Sequence, residues 1–450
     1  MYGHAKQLGL ASLVLLAFLL LFSVTVNSQQ RTPAEQHYQR GLELLKNGDL
    51  DGSIEAFKKA IALRPKQAEA HYYLGYALGI KGQLADAIVE LEKAISLNPE
   101  LGNAHYYLGA ARWFSKDVDG AITALTNAVR LMPQDANSHY YLGLSLQKTG
   151  ELDEAIDNFR AAIKLQPNML HAYNDLGLAL MQKRDPDGAM AAFNEALKVD
   201  GGNMVAQLNL GMVLIQKGDY AAAVDQYRRI ILQAPDSAEA HYNLGLALKQ
   251  KDELANAEVE LRKAIELQSR LHEAHYILGA VLMQQSKLED AAAALRRAID
   301  VKPDYPEAHF ALGTVMQQQG NFAGAIAALR QALIYAPNAA EIHNALGNAL
   351  RKTGDLESAR VEFEKAARLN KIKSNQQAAM FATNTGLAKL KEGKLDEAIE
   401  TFQRAVQLDP TNSEAFYNLA KALQKKGQIS AARTAEQKAR KLNPRLKPLP

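Results

Sequence analysis

The chain has 450 residues, with 52 Lys and Arg against 49 Asp and Glu, a formal charge of +3 at pH 7 and no cysteine. Charge this balanced gives no electrostatic footprint for nucleic acid, and the lack of cysteine excludes a disulfide framework, thiol chemistry and a lipid-modified N-terminal cysteine. A hydrophobic content of 48% fits many small alanine-rich cores better than one large one.

Residues 1–28 differ from all that follows. A short start carrying Lys6 precedes a charge-free apolar run from Leu8 to Val26, and Val26-Asn27-Ser28 offers small or β-branched residues where a signal peptidase reads. The layout predicts a secretory signal cleaved after Ser28, which takes away Lys6 and no acid and lowers the formal charge from +3 to +2. At 19 residues, 8–26 is also long enough to span a bilayer if retained as an N-terminal anchor. Either way the remainder is delivered across a membrane, to the periplasm or the exterior. Residues 29–33 form a short polar spacer.

From Ala34 a 34-residue period takes over. Gly41 recurs at every thirty-fourth residue as far as Gly347, slips by five to Gly386 and resumes at Ala420. Twelve residues past each landmark lies Ser53 in the first repeat and alanine in the other eleven. Sixteen past it comes a large apolar residue, from Phe57, Leu91 and Leu125 through to Phe402, with Glu436 breaking the pattern in the twelfth repeat. Twenty-four past it comes proline, except at Gly201, Ser269 and Lys371.

Within each repeat the apolar residues follow a helical period on both sides of a turn. In the second, His71, Leu74, Gly75 and Leu78 share one face, and Leu84, Ala87, Ile88, Leu91, Ala94 and Ile95 share another beyond Gly82. Gly75 and Ala87 are placed where two helices cross closely. Pro99 lacks an amide proton and biases Asn98 away from helix, so the second helix stops there. One hairpin of this length cannot bury its own apolar faces and needs copies on either side.

This 34-residue helix–turn–helix with Leu-Gly, Gly, Ala, a large apolar residue, Ala and Pro resembles the tetratricopeptide repeat. The resemblance implies an all-α fold: a right-handed superhelical solenoid of about twelve 34-residue repeats whose first helices line the concave wall. Repeats one to ten occupy 34–373 and repeats eleven and twelve 379–446. Between them 374–378 (SNQQA) is an insertion without Pro or Gly, expected to lengthen the next helix by more than one turn and to shift the superhelical phase. The last helix, around Ile429–Leu442, carries Arg433, Glu436, Lys438, Arg440 and Lys441 as a polar cap, and 447–450 is read as a frayed tail.

Function is expected on the inner wall. With His71 at zero, Leu74, Gly75 and Leu78 stay within about 60°, whereas Tyr72, Tyr73, Tyr76 and Ile80 fall at about 100–200°, off the core face. Repeat three adds Tyr106, Tyr107, Trp113 and Phe114, and repeat four Tyr140 and Tyr141. Aromatics of this kind dominate binding hot spots; packing against the neighbouring repeat is the competing expectation, since a single tyrosine recurs after the histidine at Tyr38, Tyr242 and Tyr276. Farther along, Asp175, Asn209 and Asn243 precede the Leu-Gly pair, and Asn384 and Asn418 recur in the last two repeats. The resemblance extends to the repeats of O-linked N-acetylglucosamine transferases, where an asparagine ladder holds an extended peptide. Here Ile277, Ala311 and Ala345 interrupt it. The residues of a chaperone-binding dicarboxylate clamp are missing at Tyr38, Leu42 and their counterparts.

Histidines at one position of eight repeats (His37, His71, His105, His139, His241, His275, His309 and His343) invite a metal reading. Stacked first helices stand about 10 Å apart, however, so a packing role is expected. His272-Glu273-Ala274-His275 spaces its histidines three apart instead of a zinc protease's four. Asp117-Val118-Asp119-Gly120 and Asp185-Pro186-Asp187-Gly188 lack the rest of a calcium loop and read as helix caps. No phosphate loop, dinucleotide fingerprint or nucleophile elbow occurs, and the repeats leave no room for a catalytic domain. The sequence therefore predicts a non-catalytic scaffold for a protein or peptide, with no cofactor, metal or nucleic acid and with membrane contact only through residues 8–26 if uncleaved. Two rivals stay open: a targeting subunit for a separate glycosyl- or cell-wall-modifying enzyme, and a membrane-tethered assembly factor of a cell-envelope complex.

Overall fold

Each repeat folds as two helices because its sequence breaks helix at two fixed places. In the computed structural model, which describes residues 32–444 and 446–449, the described residues form 23 α-helices and no strand. The expected signal or anchor lies outside the described residues, and among those residues no helix is long and apolar enough to cross a membrane. First helices run 13 or 14 residues, as in Ala68–Ile80, and second helices 14, as in Leu84–Leu97. The turn between them takes positive φ at Gly48, Gly82 and six further glycines, and at Lys116, Arg184, Asp252 and Ser286. Glycine costs nothing there, whereas an L side chain is strained. Second helices are often capped by the residue that precedes them: Asp49, Asp117 and Asp185 each accept the backbone N–H three residues on, at 2.9–3.0 Å.

The landmark glycines bring the two helices of a hairpin together. A Cβ on Gly75 would lie 2.7 Å from Leu91 Cγ and 3.1 Å from the Ala87 carbonyl oxygen, and one on Gly143 would lie 2.8 Å from the Phe159 ring. The crossing inferred from Gly75 and Ala87 is therefore present. The large apolar residue under the glycine is fully buried in ten repeats, from Phe57 to Phe402. Between hairpins the second helix of one repeat receives the first helix of the next; Leu91 and Ala94, for example, pack with Ala104 and Leu108.

The chain divides into two compact units, one ending at Pro235 and one beginning at Asp236. Inside each, first helices of consecutive regular repeats approach one another directly, and among the described residues second helices do not. That asymmetry bends each unit with its first helices on the inner side.

Two features depart from the regular hairpin. Leu356–Lys391 is one helix of 36 residues, joining the second helix of repeat ten to the first of repeat eleven through 374–378. Lys371 stands where nine repeats have proline, so nothing there ends the helix. The expected frayed tail instead turns back over the last hairpin. The Leu449 amide donates to Glu436 Oε1 at 2.9 Å, the Tyr417 hydroxyl donates to the Lys447 carbonyl at 3.2 Å, and Leu449 packs on the terminal core. Glu436, which replaces a large core residue, anchors the segment that covers the array's end.

Candidate binding surface on the first helices

The repeated histidine fixes how each first helix is set. His71 is buried, with Nε2 donating to the Pro65 carbonyl at 3.0 Å and Nδ1 2.6 Å from Glu90 Oε2. The same reach of six residues back joins His105 to Pro99, His275 to Ser269, His309 to Pro303 and His343 to Pro337, at 2.9–3.0 Å. His139, His241 and His343 also reach across their hairpins to Asn158, Glu260 and Glu362. Each ring thus ties the end of the preceding repeat to its own first helix, and in these repeats to its own second helix as well. The histidines are buried or half-buried, and among the described residues no group of three or more His, Cys, Asp or Glu could hold a metal.

Two carboxylates of the second unit respond to acid: Glu362, tied to His343, and Glu258, which pairs with Lys287 and Arg262. Burial pushes the Glu362 carboxyl up, but hydrogen bonds from Lys365 and His343 outweigh it and hold it below the ordinary value of 4.5. Glu258 is held down chiefly by the Lys287 hydrogen bond, against burial, with help from Arg262. A depressed folded value stabilises above the unfolded value and is lost as pH falls through the folded one. Thermal melting of the Asp236–Pro450 unit should therefore start to drop below about pH 4.5, and Glu258→Gln with Glu362→Gln should flatten that drop.

On this frame the tyrosines of repeats one to four form a zigzag of ring contacts. Tyr38 meets Tyr73 at 6.0 Å between centroids, and Tyr73 touches Tyr72 at 4.6 Å. Tyr72 meets Tyr107 at 6.0 Å, Tyr107 touches Tyr106 at 4.8 Å, Tyr106 meets Tyr141 at 6.0 Å, and Tyr141 touches Tyr140 at 5.4 Å. The rule is simple: the tyrosine three residues before one landmark glycine meets the tyrosine two residues before the next. In repeat five that second position is Asp175, and the contact becomes a hydrogen bond from the Tyr140 hydroxyl to Asp175 Oδ2 at 2.7 Å. The aromatic run ends in a carboxylate.

The candidate residues are not equally available. Tyr106 and Tyr140 keep 8% and 9% of their surface, because rings of the next repeat lie over them: Tyr141 over Tyr106, His171 at 4.5 Å from Tyr140. They hold the run together from beneath and offer a partner little area. Asn243 retains 3% and its amide is not presented at the surface, a short side chain at a position where tyrosines reach outward; Asn209 is half-buried. Tyr72, Tyr73, Tyr76, Tyr107, Tyr141 and Trp113 are half-buried, and Phe114 is 40% exposed, 6.2 Å from the Tyr141 ring. Tyr76 joins Tyr107 at 4.6 Å, and Ile80, the counterpart of Phe114 one repeat earlier, is also exposed. Burial raises the phenols of Tyr72 and Tyr106 well above their ordinary range, with neighbouring rings adding to it, and raises Tyr140 with Asp175 adding to it. These hydroxyls therefore stay protonated, able to donate.

Sequence reasoning missed Asp175 as the end of the run, and the carboxylates behind the histidines. The signal for the latter is a Glu nineteen residues after the histidine, at Glu90, Glu260 and Glu362.

Helical hairpins of one length, stacked through one repeated junction, define an all-α solenoid scaffold. The chain belongs to the tetratricopeptide repeat family. A family model described as TPR repeat matches residues 41–79, 80–113, 279–320 and 386–427, and models described as tetratricopeptide repeat match 106–168, 140–203, 180–248, 238–270 and 310–379. Among solved structures, the MamA protein is 32% identical over 38% of this chain and 92% of its own, with a TM-score of 0.36. YrrB, titled a TPR protein with an unusual peptide-binding site, is 25% identical over 38% of this chain and 89% of its own, with a TM-score of 0.37. A tetratricopeptide repeat protein from Parabacteroides merdae is 15% identical over 63% of this chain and 99% of its own, with a TM-score of 0.45. Among curated proteins no match is found.

Proposed function

We propose that the chain is an exported, non-catalytic scaffold that holds a protein or peptide against the first helices of repeats two to four. One observation carries the reading: half-buried aromatics there form a run of touching rings whose outer edge, at Tyr76, Tyr107, Phe114 and Tyr141, stays partly open to solvent on the inner side of its unit, with half-buried Trp113 next to Phe114 in the chain. Rigid aromatics that carry hydroxyls combine apolar area with hydrogen-bonding groups at little entropic cost, which suits an extended or helical peptide. The repeats account for nearly all the described residues, so catalysis, where it belongs to the same process, is left to a partner. The apolar run at 8–26 supports export, by a cleaved signal or a retained anchor.

The test is affinity capture from the native cell extract with the wild-type chain and with Tyr76→Ala/Tyr107→Ala/Phe114→Ala. Proteins retained by the wild type should fall at least about tenfold with the triple variant, the loss of one to two hot-spot contacts. Tyr276→Ala, in the other unit, should retain them. Equal recovery with both variants would place the binding surface elsewhere.

A further inference from the structure

The 36-residue helix leaves two matching faces uncovered. At the regular junctions inside each unit, the residue five before a landmark glycine is packed against the preceding repeat: it is an alanine with no exposed surface at Ala70, Ala104, Ala172, Ala274 and Ala308, and a buried Ser138 or Ile342 at two others. In repeat eleven that residue is Phe381, 73% exposed. On the other side, Phe363 of repeat ten is the one large apolar residue of its series that is not fully buried. Beside it opens a groove of about 370 Å³, lined by Leu356, Ala359, Phe363 and Ala367 between Arg351 and Arg360. These are the two halves of one repeat-to-repeat junction. Elsewhere such halves meet within the chain. Here they lie on one continuous helix, 18 residues apart, which is five full turns; both fall on the same face, about 27 Å apart, and cannot touch each other.

We propose that a second copy of this chain covers both faces, by reciprocal exchange of the halves of Leu356–Lys391 across a two-fold axis. An antiparallel pairing that sets Phe363 against the partner's Phe381 sets Phe381 against the partner's Phe363 by the same operation. It also brings Leu356 opposite the partner's Ala388 and Ala367 opposite the partner's Gln377. Each end then rebuilds the ordinary junction, with the partner supplying the missing helix, which is the low-cost route to a closed dimer. Closing the junction within one chain meets two obstacles. Residues 371–378 contain neither Pro nor Gly to break the helix, and Phe381 is larger than any residue the close-packed position buries in the other repeats, which is alanine in most, Ser138 in repeat four and Ile342 in repeat ten.

The full-length chain, kept in detergent for its apolar N-terminal run and released into native mass spectrometry, should appear as a pair of chains at micromolar concentration. Phe381→Asp should reduce it to single chains with unchanged helical circular dichroism, since that ring is mostly solvent-exposed. Ala367→Cys/Gln377→Cys places the only two cysteines of the chain on exposed sites about 15 Å apart along the helix, too far for a disulfide within it. Oxidation should link two chains. A wild type of single chains, a pair indifferent to Phe381→Asp, a disulfide closed within one chain, or a paired variant that forms no interchain disulfide would each overturn the proposal.

Discussion

Replacing Phe159 by alanine should destabilise the first unit by about 3–5 kcal/mol, the usual cost of emptying a fully buried aromatic site. The ring has no exposed surface, lies under Gly143 and stands 6.0 Å from the Tyr140 ring. It belongs to a core shared by Leu146, Ile156, Leu176 and Leu180, so its loss loosens repeats four and five together. Because contacts in the array run only between neighbours, the damage should be local: hydrogen exchange should rise across Ala136–Gln182, while helices of the Asp236–Pro450 unit keep their protection. Gly143 supplies the control. A Cβ there would lie 2.8 Å from the Phe159 ring, so Gly143→Ala should destabilise the wild type by overpacking and cost much less in the Phe159→Ala background, where the cavity accepts the methyl. Denaturant melts of the two single variants and the double variant should show a coupling of about 0.5–3 kcal/mol. Additive losses would mean that the glycine is not kept small by this ring.

The fold is legible because the same argument is made afresh in each repeat. One glycine with a large apolar residue sixteen positions on is weak; the same pair eleven times over, with proline or a substitute after it, leaves only a stacked hairpin. What a single helix cannot show is what its neighbour does. Tyr72, Tyr106 and Tyr140 hold equivalent places on their helices, yet Tyr72 is half-buried and the others are buried, because the depth of each depends on the residues that the next repeat lays over it. The aspartate that ends the run reads in sequence as part of an amide series, since its partner comes from the preceding repeat. The histidines read as packing residues, which they are, but their hydrogen bonds to a carbonyl six residues back follow from the hairpin geometry and carry no pattern of their own. The tail's own four residues show nothing to hold it; it is held by Glu436 and Tyr417, on the last two helices. The insertion predicts a longer helix, and the structure goes further, making one helix of two.

That fusion rests on very little sequence, and Lys371→Pro should undo it. Proline at 371 restores the residue that closes the second helix in nine repeats, such as Pro99 and Pro337. Inside the present helix it would remove the amide that bonds to the carbonyl of residue 367 and drive its ring against that carbonyl, a cost of about 3 kcal/mol or more. It would also push Asn370, the residue before it, out of helical geometry. Within one chain residues 371–378 are exposed apart from a half-buried Asn375, so no neighbouring repeat of the same chain resists the break. Amides of residues 371–378 should exchange at coil rates in the variant and slowly in the wild type, and the far-ultraviolet helical signal should fall by roughly two turns' worth of residues. Lys371→Ala separates the effect of proline from that of a lost charge: alanine is the best helix former, so it should leave the protection intact. The outcome also bears on the ends of the helix. Once the rod is broken, Ala359 and Phe363 no longer share a rigid axis with Phe381, and the spacing of about 27 Å that keeps the two faces apart is lost. Slow exchange through 371–378 in Lys371→Pro would mean that tertiary contacts, and not the run of helix-forming residues, hold repeats ten and eleven in line.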